Sequence, residues 1–271
     1  MAVVACRASF DPARHTSVLL ALNLTRLSIP RSQTLGEEIL QVVTQHASNM
    51  NSVNVATAWH RLAKLSRSFP TSSCQEIRQK RQIIHDVRMQ IMERLLDKFA
   101  DTFDAMNLSN VAWSCAVLDY HPSGSILSRV YKNIAQRTRE GLSHARYPVD
   151  EVKAFPSAQS LSNCLWAFTT LRHALAPKLA ALCAETMPFL LHQFNPRAAG
   201  VGGAFVTQTV ANQLWAFASL RHHPGDALMD SFANIVAHHA SHFKPQEISN
   251  VTWSYAVLSH YPGDQFLRTV R

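Results

Sequence analysis

One short amphipathic phrase recurs along this chain, and its recurrence limits the fold more tightly than any composition could. It stands as Asn110-Val-Ala-Trp113-Ser-Cys-Ala-Val-Leu118, Asn163-Cys-Leu-Trp166-Ala-Phe-Thr-Thr-Leu171, Asn212-Gln-Leu-Trp215-Ala-Phe-Ala-Ser-Leu220 and Asn250-Val-Thr-Trp253-Ser-Tyr-Ala-Val-Leu258. A weaker copy, Asn54-Val-Ala-Thr57-Ala-Trp59-His-Arg-Leu62, keeps the Asn and the Leu but moves its Trp two places along. A short amphipathic unit said four or five times is the signature of a stacked array.

The intervals between asparagines are 56 (Asn54 to Asn110), 53 (to Asn163), 49 (to Asn212) and 38 (to Asn250). If the shortest is the period, each excess has a home in a loop: the basic segment 66–82, the stretch 141–153 with Pro148, and 197–203 with its three glycines. Phe103, Phe205 and Phe243 each stand seven residues before their Asn, and Phe155 eight before. The turns repeat as well, as His121-Pro122-Ser-Gly124, His223-Pro224-Gly225-Asp226 and Tyr261-Pro262-Gly263-Asp264. Pro ends one helix, and Gly-Ser or Gly-Asp opens and caps the next.

The unit is therefore a helical hairpin. Neither helix can bury its stripe alone, so hairpins must stack. We expect an all-α solenoid of roughly 38-residue hairpins with loop insertions. Residues 1–31 form an N-terminal extension, and 32–271 an array of about five units. The chain stops at Arg271 inside a second helix, so the last unit reads as truncated and the chain as a fragment of a longer protein. Before the regular units, a helix should begin at Thr34 with a capping box to Glu37 and a stripe of Leu35, Ile39, Leu40 and Val43. A longer one should carry Ile84, Val87, Ile91, Leu95 and Phe99.

Apolar residues make up 47% of the chain and charged ones 16%, enough for a core and against wholesale disorder. Only 8 glycines argue against a turn-rich β fold. Against 18 acidic residues stand 26 Lys and Arg, giving +8, a balance that favours an anionic partner. Cys6, Cys74, Cys115, Cys164 and Cys183 make no C-x-x-C pair; Cys115 and Cys164 fall inside helical patterns as small buried apolar residues. No run approaches the ~20 apolar residues of a membrane span, and no secretory leader pattern is present. The first 31 residues hold Arg7, Arg14, Arg26 and Arg31 against one acid, Asp11, a composition equally suited to a transit peptide or an ordinary first helix.

Phe243-Lys-Pro245-Gln246-Glu-Ile248-Ser-Asn250-Val-Thr-Trp253-Ser-Tyr255-Ala256-Val-Leu258 resembles the octotricopeptide repeat almost position for position. The segment Asn51-Ser-Val-Asn54 through Leu65 is similar to the opening of organellar proteins of the FAST-kinase/RAP group, which often carry such repeats. The resemblance covers roughly residues 33–271 and implies an α-solenoid that binds organelle RNA and acts in its processing, stability or translation. The RAP module that often ends such proteins has no counterpart in this sequence.

Helical spacing sorts three faces on the first helix of each unit. Positions −2, +2, +5 and +8 from the Asn form one apolar stripe, and +3 and +6, with the Trp, a second; the tryptophans read as core. The face left over holds −3, the Asn, +4 and +7, small or polar, and so is expected to line a binding surface. Base-facing candidates are then Asn107, Ser160, Thr209 and Glu247 at −3, with Gln159, Gln208 and Gln246 at −4. Asn110, Asn163, Asn212 and Asn250, being identical, cannot discriminate bases. They read as a ladder bonding neighbouring repeats, or as RNA-backbone contacts. Lys132, Arg137, Arg139, Arg146, Arg172 and Arg221 are phosphate candidates.

Other chemistries lack their residues. His238, His239 and His242 have no carboxylate or Cys close in sequence to complete a metal site, so no metal and no cofactor is expected. No P-loop, dinucleotide fingerprint or G-x-S-x-G appears, so neither an enzyme nor a small-molecule substrate is expected. The expectation is a non-catalytic binder of single-stranded organelle RNA, in chloroplast or mitochondrion, with other RNA-processing proteins as further partners. The rival class is a protein-interaction scaffold on the same solenoid.

Overall fold

The computed structural model describes residues 34–67, 78, 81–144, 156–192 and 203–270, and every element assigned among them is helical. The arginine-rich first 31 residues, Arg146, Phe155 and most of the three insertions lie outside the described residues. The chain divides into two compact units, residues 1–99 and 100–271.

In the first unit, α1 (Thr34–His46), α2 (Ser52–Arg67) and α3 (Met89–Phe99) pack on one another. Of the expected α1 stripe, Ile39, Leu40 and Val43 are buried, and the Leu35 side chain lies outside what is described. Asn51 and Asn54 cap α2 reciprocally: the Asn51 N–H donates to Asn54 Oδ1 at 3.1 Å and the Asn54 N–H to Asn51 Oδ1 at 2.9 Å. Asn54 is thus the third residue of its helix, whereas Asn110 is the sixth of its own, so the weak copy matches in letters and not in place. Its Trp59 is fully buried.

The helix expected to run from Ile84 to Phe99 breaks at residues 85–88. Asp86 Oδ1 accepts the Arg88 backbone N–H at 2.8 Å, an Asx turn that competes with the helix, and its carboxylate clamps the same guanidinium at 2.5 Å. Val87 consequently stands 72% exposed, and the buried stripe of α3 is Met89, Met92, Leu95 and Leu96.

The second unit is a stack of hairpins. α4 (Ala105–Leu118), α6 (Ala158–Thr170), α8 (Gly203–Ser219) and α10 (Pro245–Val257) are the first helices, and each packs on the next. α5 (Ile126–His144), α7 (Ala176–His192), α9 (Asp226–His239) and α11 (Asp264–Thr269) are the second helices and do the same. α4 folds onto α5, α6 onto α7 and α8 onto α9, giving two helical layers with the core between them. The −2 and +5 residues point into it: Leu108, Leu161, Val210, Cys115, Phe168, Phe217 and Tyr255 are buried, and the Tyr255 hydroxyl donates to the Met229 carbonyl of α9 at 2.7 Å.

Gly225 and Gly263 are themselves the N-caps of α9 and α11, at φ 102° and 88°, a region open to glycine. Asp226 and Asp264, expected to share the cap, instead begin the helices, where their charge meets the positive end of the dipole.

Candidate functional site

Each first helix ends in the same lock. The residue nine after the Asn is left-handed in every unit: Asp119 at φ 55°, Arg172 at 51°, Arg221 at 50° and Ser259 at 55°. Around it, Tyr120, His173, His222 and His260 donate their N–H groups to Cys115, Phe168, Phe217 and Tyr255 carbonyls at 2.9–3.2 Å. The left-handed residues donate to Ala116, Thr169, Ala218 and Ala256. This is the Schellman pattern, completed by the contact it usually carries. The Phe168 and His173 rings lie 4.9 Å apart, Phe217 and His222 5.9 Å, Tyr255 and His260 6.0 Å. Burial holds the His173 imidazole below its ordinary pKa, with His121 adding to the effect. Leu, aromatic and His are therefore the structural part of the repeated phrase.

Of the face expected to be open, positions −3 and +4 are largely closed. Asn107, Ser160 and Thr209 at −3 are 6%, 5% and 4% exposed, and Ser114, Ala167, Ala216 and Ser254 at +4 are fully buried. Two causes place them there. The −3 residue sits next to the helix start, where the Asp104 carboxylate accepts the Asn107 N–H at 2.7 Å and Ser157 Oγ accepts the Ser160 N–H at 3.1 Å. The −3/+4 flank also meets the preceding first helix. Ser162 Oγ of α6 donates to the Thr209 carbonyl of α8 at 2.9 Å, buried in that seam. Small residues suit such a seam because they let two helices approach closely. Glu247 at −3 is half-buried, and its carboxylate accepts the Lys244 N–H at 3.0 Å, one half of a capping box.

The open face lies to one side of that seam. Positions −4, 0 and +3 follow one another along the helix at spacings of four and three, so they share a face. Met106, Gln208 and Gln246 are exposed and Gln159 half-buried; Asn110, Asn163, Asn212 and Asn250 are half-buried. Among the described residues none of these four Asn side chains hydrogen-bonds to another repeat, whereas Ser162 and Tyr255 do bond across repeats. The tryptophans, expected in the core, stand on this face too. Trp113, Trp166 and Trp215 are half-buried, Trp253 is 44% exposed, and the Trp166 and Trp215 rings lie 6.4 Å apart at 45°. Positions +3 and +6 are not equally buried. The +6 residues Ala116, Thr169 and Ala218 are buried, with Ala256 of the last hairpin exposed, whereas +3 lies 60° further round.

The basic residues fall in different places. Lys132 and Arg137 line a polar cleft along α5 with Arg129, Asn133, Gln136, Asp101 and Glu140. Arg129 is paired with Asp101 at 2.6 Å, which holds that carboxyl below the usual range. Arg137 donates to Asn133 Oδ1 at 2.6 Å and to the Phe103 carbonyl at 3.2 Å. Lys132 and Arg139 are exposed. Arg172 and Arg221 are exposed at the left-handed turn position, a register that no spacing rule singled out. Cys115, Cys164 and Cys183 are buried, and burial pushes the Cys183 thiol up to about 12, so it behaves as an apolar filler.

The last two hairpins carry a likeness to a known family. Residues 210–270 match the family model of FAST kinase-like protein, subdomain 1. The match spans the Asn212 and Asn250 copies with both left-handed turns, and it relates the chain to FAST kinase-like proteins at that level. No curated protein and no solved structure matches. Among the described residues no helix is long and apolar enough to cross a membrane.

Proposed function

We propose that this chain binds single-stranded RNA without catalysis, through the open Gln/Asn/Trp face of its first helices, and acts in the processing, stability or translation of organellar transcripts. The observation that carries the reading is the repeated placement of Trp113, Trp166, Trp215 and Trp253 on one outward face beside the Gln and Asn amides. Ring faces offer stacking to any base, and carboxamides offer a donor and an acceptor to base edges. The similarity to FAST kinase-like proteins and the +8 charge support it.

In this reading Gln159, Gln208 and Gln246 contact bases, the four asparagines lie beside them, and Arg172, Arg221 and Lys132 reach phosphates. Asn107, Ser160, Thr209 and Glu247 have structural work instead. Other RNA-processing proteins would join on the RNA, in chloroplast or mitochondrion. The test is filter binding to single-stranded organelle transcripts across a salt series. Affinity that falls as salt rises supports the proposal. No affinity at moderate salt, or affinity indifferent to salt, sinks it and favours a protein-binding scaffold.

A further inference from the structure

The turns of two successive repeats bring together side chains that lie far apart in sequence. His223 and Asp226 come from the turn into α9, and His260 from the turn after α10. One donor atom from each lies within 4.8 Å of the other two. His260 Nδ1 is 3.4 Å and His223 Nε2 3.8 Å from the same oxygen, Asp226 Oδ1, and the two rings are 5.6 Å apart. These gaps exceed a hydrogen bond. The 3.4 Å gap matches a coordination sphere and the 3.8 Å gap is slightly wider than one: tetrahedral bonds of 2.0–2.2 Å set neighbouring ligand atoms about 3.3–3.5 Å apart.

The His260 ring is also oriented for the purpose. Its Nε2 lies 2.9 Å from Asp230 Oδ1, one helical turn beyond Asp226 on α9. With the proton on Nε2, the Nδ1 lone pair confronts the Asp226 carboxylate, two acceptors face to face with room for a cation between them. A carboxylate holding the far nitrogen of a ligating histidine is the usual outer partner of a metal-bound imidazole.

We propose that His223, Asp226 and His260 bind a divalent transition-metal ion, zinc above all, that ties two successive hairpins together. His260 coordinates through Nδ1, Asp226 through Oδ1 and His223 through Nε2; Asp230 orients His260, and water takes the fourth position. Two imidazoles and one carboxylate suit zinc or cobalt better than calcium or magnesium. Coordination through His223 Nε2 puts that ring's proton on Nδ1, so the 3.2 Å contact from the Gly225 N–H is given up. His223 is exposed and free to tilt. The site is distinct from His238, His239 and His242, where the His239 and His242 rings are 6.1 Å apart.

The experiment is a titration of the whole chain with Co²⁺ and Zn²⁺, followed by visible absorption and calorimetry, with melting curves in parallel. One equivalent is expected to bind, with tetrahedral cobalt bands and a raised Tm. His223→Gln and Asp226→Asn should each weaken binding at least tenfold, Asp230→Asn by roughly 10–100-fold, and His238→Gln with His242→Gln not at all. His223→Gln guards against folding artefacts, because that ring is exposed. The proposal is overturned if no equivalent binds at micromolar metal, as when a proton alone bridges Asp226 and Asp230 through His260. It is equally overturned if binding survives His223→Gln and Asp226→Asn, or is lost only with His238 and His242.

Discussion

Ser162 Oγ donates to the Thr209 carbonyl at 2.9 Å, a bond from one first helix to the next inside a seam of small residues. The Thr209 carbonyl also belongs to a helix, so losing the second donor is tolerable. Ser162→Ala should destabilise by about 0.5–1.5 kcal/mol in urea unfolding. Ser162→Leu must force the two helices apart and should cost about 1–3 kcal/mol. Equal costs for the two variants would mean that the seam is not close-packed.

The outward tryptophans and the buried −3 residues are expected to separate recognition from stability. Trp166→Ala or Trp215→Ala should weaken single-stranded RNA binding by about 1–3 kcal/mol, measured by filter binding, with a small change in Tm. Thr209→Val and Ser160→Ala should alter Tm and leave RNA affinity and base preference unchanged. Base preference that follows Ser160 or Thr209 and ignores the tryptophans would refute the open face as the binding surface.

Arg172 and Arg221 carry side chains in a backbone region that disfavours them by about 1–2 kcal/mol. Arg172→Gly and Arg221→Gly should therefore raise stability by up to about 1 kcal/mol, partly offset by glycine's greater freedom when unfolded. Arg221→Val should lower it, since a β-branched residue fits that region worst. If these arginines meet phosphates, each glycine variant also reduces the slope of log K against log salt by about 0.7. Chemical denaturation and a salt series on the same samples check both outcomes.

His60 gives the first unit a pH dependence. Burial, followed by Lys64 and Arg61, lowers its pKa from 6.5 to about 4. Between those values the unfolded chain holds a proton that the folded chain refuses. Stability is thus complete above about 6.5 and falls as pH drops towards 4. The ring is only half-buried, so screening trims the effect to on the order of 1 kcal/mol. Melting at pH 7.5 and pH 5 should show a larger loss for the parent chain than for His60→Gln; equal losses would assign the effect elsewhere.

The repeat, its hairpins and its turns were legible because they rest on periodicity and on Gly and Pro, which act locally. Burial on the first helix was half legible. The Leu and aromatic stripe at −2, +5 and +8 points into the core as its residue types dictate, but Trp misled through its size. A small polar face such as Ser160 with Ala167 reads alike whether it lies open or is pressed against a neighbouring helix; only the packing partner decides. Asp86 broke a good apolar pattern because one side chain–backbone bond outweighed it. Spacing also could not bring His260 to Asp226, which lie 34 positions apart in sequence.

The left-handed turn has one more consequence. Its shape is set by main-chain bonds on either side, so the side chain at its tip is chemically uncommitted: an acid at Asp119, cations at Arg172 and Arg221, a hydroxyl at Ser259. The array thus carries one socket per hairpin whose charge can be rewritten without redrawing the backbone. The pattern of minus, plus, plus and neutral along the stack is a variable independent of the fold that displays it.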